Sequence, residues 1–340
     1  MMDGRQLTII YQAIKELNEL AGMEGTGRRF GLVLTGDFCQ LPPVKSPWTF
    51  EQEVWSEFEA HTVKLTKVWR QDSAKFLEAL NHLRRGEGRE GAEKLTGLVK
   101  WKASIQRDFD GTTIVAKNDE VERHNRLALN ALPGAVIGLP GSSWGTLAKG
   151  QPKRDQGEWK NIPEVLQLKV GAYVMILANC MMDGELVYAN GDCGHVERVN
   201  EGSRTVGVRL VRTGEVVSVA PVTRHHATKD EPEQGYYDPT HNTSQWDGKE
   251  PYYDPKKKRF LLGGVTYMPL RLGYASTVHK TQGLSLDRIQ VDCRAFFFGN
   301  PGMAYVALSR ARTPEGVVVV GTPRLFEARV KVDPKVLPWL

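Results

Sequence analysis

Apolar residues in the opening segment recur at three- and four-residue steps, Leu7, Ile10, Ile14 and Leu17, which predicts a helix. Asp3 is able to cap its first turn and Gly22 is placed to end its last. The unbroken run Leu32-Val33-Leu34 predicts a buried strand that ends in an acid and an amide, Asp37 and Gln40. Phe76, Leu77, Leu80 and Leu83 mark a second amphipathic helix ending near Gly86. Residues 112–116 read as a short buried strand and residues 119–132 as the helix that follows it. From 142 to 263 the period shortens: Leu166 to Val170 alternates, Val174 to Leu177 is a strand, and a turn at 190–194 precedes another at 195–199. Thr213-Gly214, between 206–210 and 215–219, is a hairpin signal, and this series of short strands suggests a small β-barrel. Beyond Gly264, residues 272–282 form a compact segment that puts Thr277 and Lys280 one turn apart if helical. A strand follows at Ile289 to Asp292. Asn300-Pro301 reads as a helix start, with Tyr305, Leu308 and Arg312 on one side and Arg310 pointing elsewhere, and Val317 to Val320 closes the sheet.

Composition narrows the class. With 340 residues, 41% hydrophobic and 25% charged, the chain can bury a sizeable core in about two or three domains. The formal charge of +5 permits a polyanionic partner without requiring one. The four cysteines show no C-x-x-C spacing, which favours free thiols in a reducing, intracellular setting over a disulfide or zinc framework. No apolar stretch approaches the ~20 residues of a membrane span, and the N-terminus lacks a signal peptide's order. His225-His226 and His241 have no accompanying ligand spacing, so no metal site is expected on them.

The chemistry concentrates in four segments. Gly36-Asp37-Phe38-Cys39-Gln40-Leu41-Pro42-Pro43-Val44 follows the predicted strand, and ligands of parallel α/β sheets gather at strand carboxyl ends. A bare Gly-Asp after a strand reads as a polar turn, but the whole nonapeptide resembles the third motif of the RecD and Pif-type DNA helicases of superfamily one. Leu65-Thr66-Lys67-Val68-Trp69-Arg70-Gln71 resembles the fourth motif of that family, 277–287 (Thr-Val-His-Lys-Thr-Gln-Gly-Leu-Ser-Leu-Asp) the fifth, and Ala304 to Arg312 the sixth. The resemblance runs from Met1 to about Arg324 and is weakest in the middle.

It implies an α/β architecture of tandem RecA-like P-loop motor domains, the first incomplete, with an inserted Src-homology-like β-barrel. The expected limits are 1–63 for the remnant of the first motor domain, 64–141 and 264–330 for the second, and 142–263 for the insert. The implied activity is ATP hydrolysis coupled to 5′ to 3′ translocation on single-stranded DNA and unwinding of duplex. By the resemblance, Arg70 and Arg310 stabilise charge on the transferring phosphoryl group, a role whose loss typically costs ~10³ or more in rate. Gln40 senses the terminal phosphate or orders water, and Asp37 supports magnesium or Gln40. Gly36, Gln282 and Gly283 join the ATP-binding set. Thr277, His279 and Lys280 contact DNA, with His279 and Gln282 facing the nucleotide cleft. The cofactors are ATP and Mg2+, and the expected chain is a monomer, nuclear or mitochondrial if eukaryotic and cytoplasmic if bacterial or phage.

The pattern G-x-x-x-x-G-K-[ST], whose backbone N–H groups, lysine and hydroxyl converge on phosphates, is absent from the 340 residues. Gly22 to Arg29 has the glycine spacing, but Arg28 and Arg29 stand where lysine and a hydroxyl belong. The family's magnesium-holding acidic pair is expected just before Met2-Asp3, so Met1 is read as lying inside a longer parent and this chain as incompetent for ATP hydrolysis alone. The alternative is a non-catalytic single-strand-binding or decoy protein derived from such a motor. Two local readings stay open. Asn118 is equally a helix N-cap and a DNA ligand. Tyr236-Tyr237-Asp238-Pro239 recurs at 252–255 before Lys256-Lys257-Lys258-Arg259, either a DNA-contacting loop through Lys256 and Lys257 or a solvated pair of turns.

Overall fold

The computed structural model describes every residue except 1, 23–29, 151–156, 158, 160, 161, 241–246 and 248. Of the loop Gly22 to Arg29 only Gly22 is among the described residues, with φ +60, and His241 lies outside them. The chain divides into two compact units, Met1–Asn118 with Ser276–Leu340, and Asp119–Ala275.

The first unit is built on a five-stranded sheet in the order Lys100–Lys102, Val317–Val320, Ile289–Asp292, Thr112–Val115, Ala275–Thr277. The first four strands pair in parallel. Thr112–Val115 and Val317–Val320 are buried at every position, as in a parallel sheet covered on both faces, and Val317–Val320 is a continuous apolar run while Thr112 and Thr113 are buried hydroxyls. Val317–Val320 was expected at the margin of the sheet. It is instead an inner strand, and the edge falls to Lys100–Lys102, whose two lysines face solvent and discourage further pairing.

The helix predicted near the N-terminus spans Gly4–Leu20 and opens on a capping box, Gln6 N donating to Asp3 Oδ1 and Asp3 N to Gln6 Oε1, both at 3.0 Å. Of its apolar stripe only Leu7 is buried, while Leu17 is 51% exposed. The strand expected at Leu32–Leu34 is not formed. Residues 31–36 pair with no described strand, Val33 is 86% exposed, and a strand without a neighbour has no ladder to hold it. The remnant expected at 1–63 therefore contains no described strand and packs through aromatic rings: Phe38 lies against Trp48, Phe50, Trp55 and Trp339, 4.9–6.1 Å between centroids. Trp48 Nε1 donates to Asp333 Oδ2 at 3.0 Å, tying this segment to the C-terminal turn.

The second unit is antiparallel. Val216–Val219, Thr205–Leu210, Cys193–Asn200, Tyr173–Ile176 and Leu270–Leu272 form one sheet in that order, over a core of Val174, Ile176, Val196, Val206, Val208 and Leu210. The Thr213-Gly214 hairpin is present, with Gly214 at φ +74. Arg259–Tyr267 pairs with Val222–Thr228, Tyr252–Asp254 and Ser142–Trp144 in a second sheet. The unit is wider than the 142–263 expected, because Leu129 of the Asn118–Ala131 helix joins its core and Leu270–Leu272 pairs with Tyr173–Ile176.

Candidate functional site

Within the first unit the four motif segments converge. The turn at Asp37–Gln40 is closed by Gln40 N donating to Asp37 O at 3.1 Å and Cys39 N to Asp37 Oδ1 at 3.1 Å, an Asx-type turn that fixes the carboxylate. Arg84, in the last turn of the Ala74–Arg84 helix, reaches that carboxylate with Nη2 2.9 Å and Nε 3.2 Å from Oδ1. Tyr305 Oη donates to Asp37 Oδ2 at 3.1 Å. Both oxygens are thus engaged inside the protein, so Asp37 is a clamp in this arrangement and not an open metal ligand. Burial and the Asp37 charge raise the Tyr305 hydroxyl well above its ordinary value, and burial pushes the Cys39 thiol up to about 11. Burial alone would pull Arg84 down, but its bonds to Asp37 outweigh that and leave it raised.

Arg70 and Arg310 meet at Ser309. Arg70 donates from Nε to Ser285 Oγ at 2.9 Å and from Nη1 to Ser309 O at 3.3 Å. Arg310 donates from Nη2 to Ser309 Oγ at 2.7 Å and from Nε to Val306 O at 2.9 Å. Buried Gln71 adds Nε2 to Ser309 O and Ala311 O, each at 3.0 Å. The fifth and sixth motif segments are stitched by Leu286 N to Arg310 O at 2.8 Å and Arg312 N to Leu286 O at 3.1 Å. Among the described residues no carboxylate forms an ion pair with Arg70 or Arg310. Burial, and then the charge of Arg70, push Arg310 down to about 10, and burial also lowers Arg70. A guanidinium stays protonated in proteins, so these shifts express the cost of two buried like charges, which an anion between them would relieve.

The other expected residues fall as follows. Gly36 is exposed and Gln40 half-buried, its backbone carbonyl pressed against Gly302. That approach explains why the helix expected from Asn300-Pro301 begins only at Met303: Gly302 takes φ +76 as its N-cap, and a Cβ there would lie 2.5 Å from Gln40 O. The helix ends at Leu308, so Arg310 and Arg312 lie beyond it, Arg312 Nε 3.1 Å from Asp287 Oδ1. Thr277 is buried, and its Oγ1 accepts from Lys280 N at 3.3 Å as N-cap of the Val278–Thr281 turn, so its hydroxyl serves the fold locally. His279 and Lys280 are exposed on that turn, and Gln282 and Gly283 end it, Gly283 at φ +79. Asn118 is exposed and already helical, the first residue of its helix and not its cap.

In the second unit Lys256 and Lys257 are exposed in the turn after Tyr252–Asp254, where Asp254 Oδ1 accepts from the backbone N of both, at 3.0 and 3.2 Å. The two Tyr-Tyr-Asp-Pro repeats lie side by side through Tyr237 N to Pro251 O (2.8 Å) and Tyr253 N to Tyr237 O (2.9 Å). The Tyr236 and Tyr253 rings pack on Phe260. Arg84 is the participant that sequence reasoning missed. Its helix was legible, but nothing in the chain's pattern pairs it with an acid 47 positions away.

No cluster of three His, Cys, Asp or Glu suited to a metal occurs among the described residues, and Asp37 is already engaged, so the described residues do not fit a magnesium site. No described helix is long and apolar enough to cross a membrane.

A parallel sheet with arginine-bearing loops gathered at one site places the chain, by fold, among RecA-like motor proteins. It is 29% identical to the ATP-dependent DNA helicase PIF1 of Homo sapiens over 340 residues, 98% of this chain and 45% of that protein. It is 28% identical to the Pif1 helicase of Bdellovibrio bacteriovorus over 99% of this chain and 67% of that protein. The crystal structure of Pif1 helicase from Candida albicans matches all of this chain and 74% of that one, with a TM-score of 0.65 at 27% identity. The relatives and the solved structure that the chain resembles are Pif1-type DNA helicases. It spans less than half the length of the mammalian relatives it matches. No protein-family model matches it.

Proposed function

We propose that this chain supplies the phosphate-sensing and DNA-facing part of an ATP-driven motor that moves 5′ to 3′ on single-stranded DNA and opens duplex. The observation that carries the reading is the pair Arg70 and Arg310, half-buried to buried, sharing Ser309 and, among the described residues, without an ion-pairing carboxylate. Such a pair is suited to the charge that develops on a transferring phosphoryl group. Gln40 and Gly36 line the same loop as Asp37, whose role is to hold that loop on Arg84 and Tyr305. The stitch between Leu286 and Arg310–Arg312 gives the nucleotide arginines a direct backbone route to the turn that carries His279 and Lys280. Lys280, His279 and Asn118 are the DNA-backbone contacts of the first unit, and Lys256 and Lys257 those of the second. Residues 1–63 correspond to the first motor domain, 64–118 and 276–330 to the second, and the antiparallel unit to the insert. The protein acts as a monomer in an intracellular setting.

Without G-x-x-x-x-G-K-[ST] in its sequence, and without a cluster of metal-ligating side chains among the described residues, this polypeptide is expected to release phosphate from ATP at background rate. That same lack favours the second reading, a non-catalytic single-strand-binding or decoy protein. The two part on coupling. If the chain is motor machinery, ATP changes its affinity for oligo(dT) about fivefold or more, and Arg310→Gln abolishes the change. Binding of oligo(dT) that is indifferent to ATP would sink the motor reading and leave the decoy.

A further inference from the structure

In the second unit Trp144, Gly264 and His225 stand in one row across three strands, Gly264 pairing with Trp144 on one side and with His225 on the other. Paired residues of neighbouring strands point to the same face, so a residue without a side chain leaves room between two rings. Trp144 takes that room. A Cβ on Gly264 would lie 2.6 Å from Trp144 Nε1, and the indole centroid is 6.1 Å from the His225 ring and 6.2 Å from the Tyr252 ring. The Arg259 charge acts on both the Tyr252 hydroxyl and the His225 ring, which places the guanidinium near them. All four side chains are half-buried.

Two nitrogens of this group, Arg259 Nε and His225 Nδ1, are shielded from solvent and have no hydrogen-bond partner among the described residues. A buried polar atom left unpaired carries a desolvation cost, which an acceptor brought by a ligand offsets. The neighbouring acid is engaged elsewhere: Asp254 accepts from the backbone N of Lys256 and Lys257 and lies 3.9 Å from the Lys257 ammonium. Open rings, two orphaned nitrogens and the basic run Lys256 to Arg259 thus gather in one place.

We infer that Trp144, Tyr252, His225 and Arg259 form a subsite for one nucleotide of a single DNA strand, the base on the Trp144 and Tyr252 rings and the phosphate on His225 and Arg259. The inference rests on the DNA contact proposed above for Lys256 and Lys257, and it adds selection of an unpaired base and a dependence on pH. A single strand is gripped by stacking on aromatic rings and by cations that track its backbone, and both are present. Burial, and then the charges of Lys257 and Arg259, hold His225 below its ordinary value, with Asp254 opposing them. The third strand packed there, Ser142–Trp144, carries no charge. The free ring is therefore neutral near about pH 7, and a phosphate beside it favours the charged form. Binding then takes up a proton, so affinity rises as pH falls and levels off below the free ring's own value.

The test is fluorescence anisotropy of the 340-residue chain with labelled oligo(dT) and with an abasic strand of the same length, which has the phosphates and no bases. Trp144→Ala is expected to weaken oligo(dT) about tenfold and the abasic strand less than about twofold, and Trp144→Phe to keep most of the affinity. Arg259→Gln should weaken both strands and lower the slope of log affinity against log salt by about 0.7. Between about pH 8 and about pH 6 wild type should gain about threefold more affinity than His225→Gln. Equal loss of both strands in Trp144→Ala, or no loss in Arg259→Gln, overturns the subsite, and an equal pH response of wild type and His225→Gln overturns the proton link. If Lys256→Ala and Lys257→Ala weaken oligo(dT) while the Trp144 and Arg259 variants do not, DNA contact at the turn stands and the subsite falls. Inorganic phosphate that binds by calorimetry and is lost in Arg259→Gln, with both strands unaffected, overturns the strand in favour of a free anion. If wild type binds no oligo(dT), the turn and the subsite fail together.

Discussion

Arg84 grips Asp37 from the far end of a helix, Nη2 2.9 Å from Oδ1, with both side chains no more than a quarter exposed. Because Tyr305 holds the other oxygen, the acid of the third motif is tied at once to a helix of the sheet's flank and to the sixth motif. The loop that carries Gln40 is therefore positioned by side chains and not by a strand.

Removing one partner of that pair leaves the other partly buried without its counter-charge. Arg84→Ala is expected to destabilise the first unit by about 2 kcal/mol. Asp37→Asn, which still accepts from Tyr305, should cost less. Urea unfolding followed by circular dichroism measures both, and an Arg84→Ala midpoint equal to wild type would show the clamp to be idle.

Gly302 has both a left-handed backbone and no room for a methyl group beside Gln40 O. Gly302→Ala should therefore cost about 1–3 kcal/mol and displace Gln40. Hydrogen exchange at residues 38–41 would then rise. A melting temperature within error of wild type contradicts the account.

Burial pushes the Cys39 and Cys293 thiols from 9.0 up to about 11. A raised folded value favours the neutral form, so this stability is fully present below about pH 9 and is lost as pH rises toward about 11. Tyr305, raised from 10.0, adds to the loss on the alkaline side. Denaturation midpoints should fall across that window, and the Cys39→Ala, Cys293→Ala double variant should show a shallower fall. A midpoint that climbs with pH there reverses the sign and defeats the argument.

If Lys280, Lys256 and Lys257 each neutralise a phosphate of single-stranded DNA, each alanine variant should reduce the slope of log affinity against log salt by about 0.7. Fluorescence anisotropy with oligo(dT) at several salt concentrations reads this directly. A Lys256→Ala slope matching wild type would assign that turn to solvent.

Val317–Val320 was legible because a parallel strand buried on both faces reads as a continuous apolar run, and 112–115 and 289–292 because their β-branched residues favour a strand although Thr112, Thr113 and Gln290 are buried polar positions. The motif arginines were legible by resemblance, and their meeting point at Ser309 was not, since Arg310 uses its hydroxyl but Arg70 its backbone carbonyl, which no side-chain pattern encodes. Leu32–Leu34 failed for the opposite reason: its composition is that of a strand, but strand formation is a property of neighbours. Thr277 failed because a hydroxyl one turn from a lysine suits a helix cap and a phosphate equally, and the backbone N–H claimed it first. Gly302 could not be read as a cap without knowing that Gln40 lies against it.

Three of the chain's eight tryptophans, Trp48, Trp55 and Trp339, touch the ring of Phe38, next to Asp37. Their emission answers to the polarity around that one loop, so the third motif carries its own optical gauge. Any ligand that shifts the Asp37–Gln40 turn can be followed by light, in real time, on the unlabelled protein.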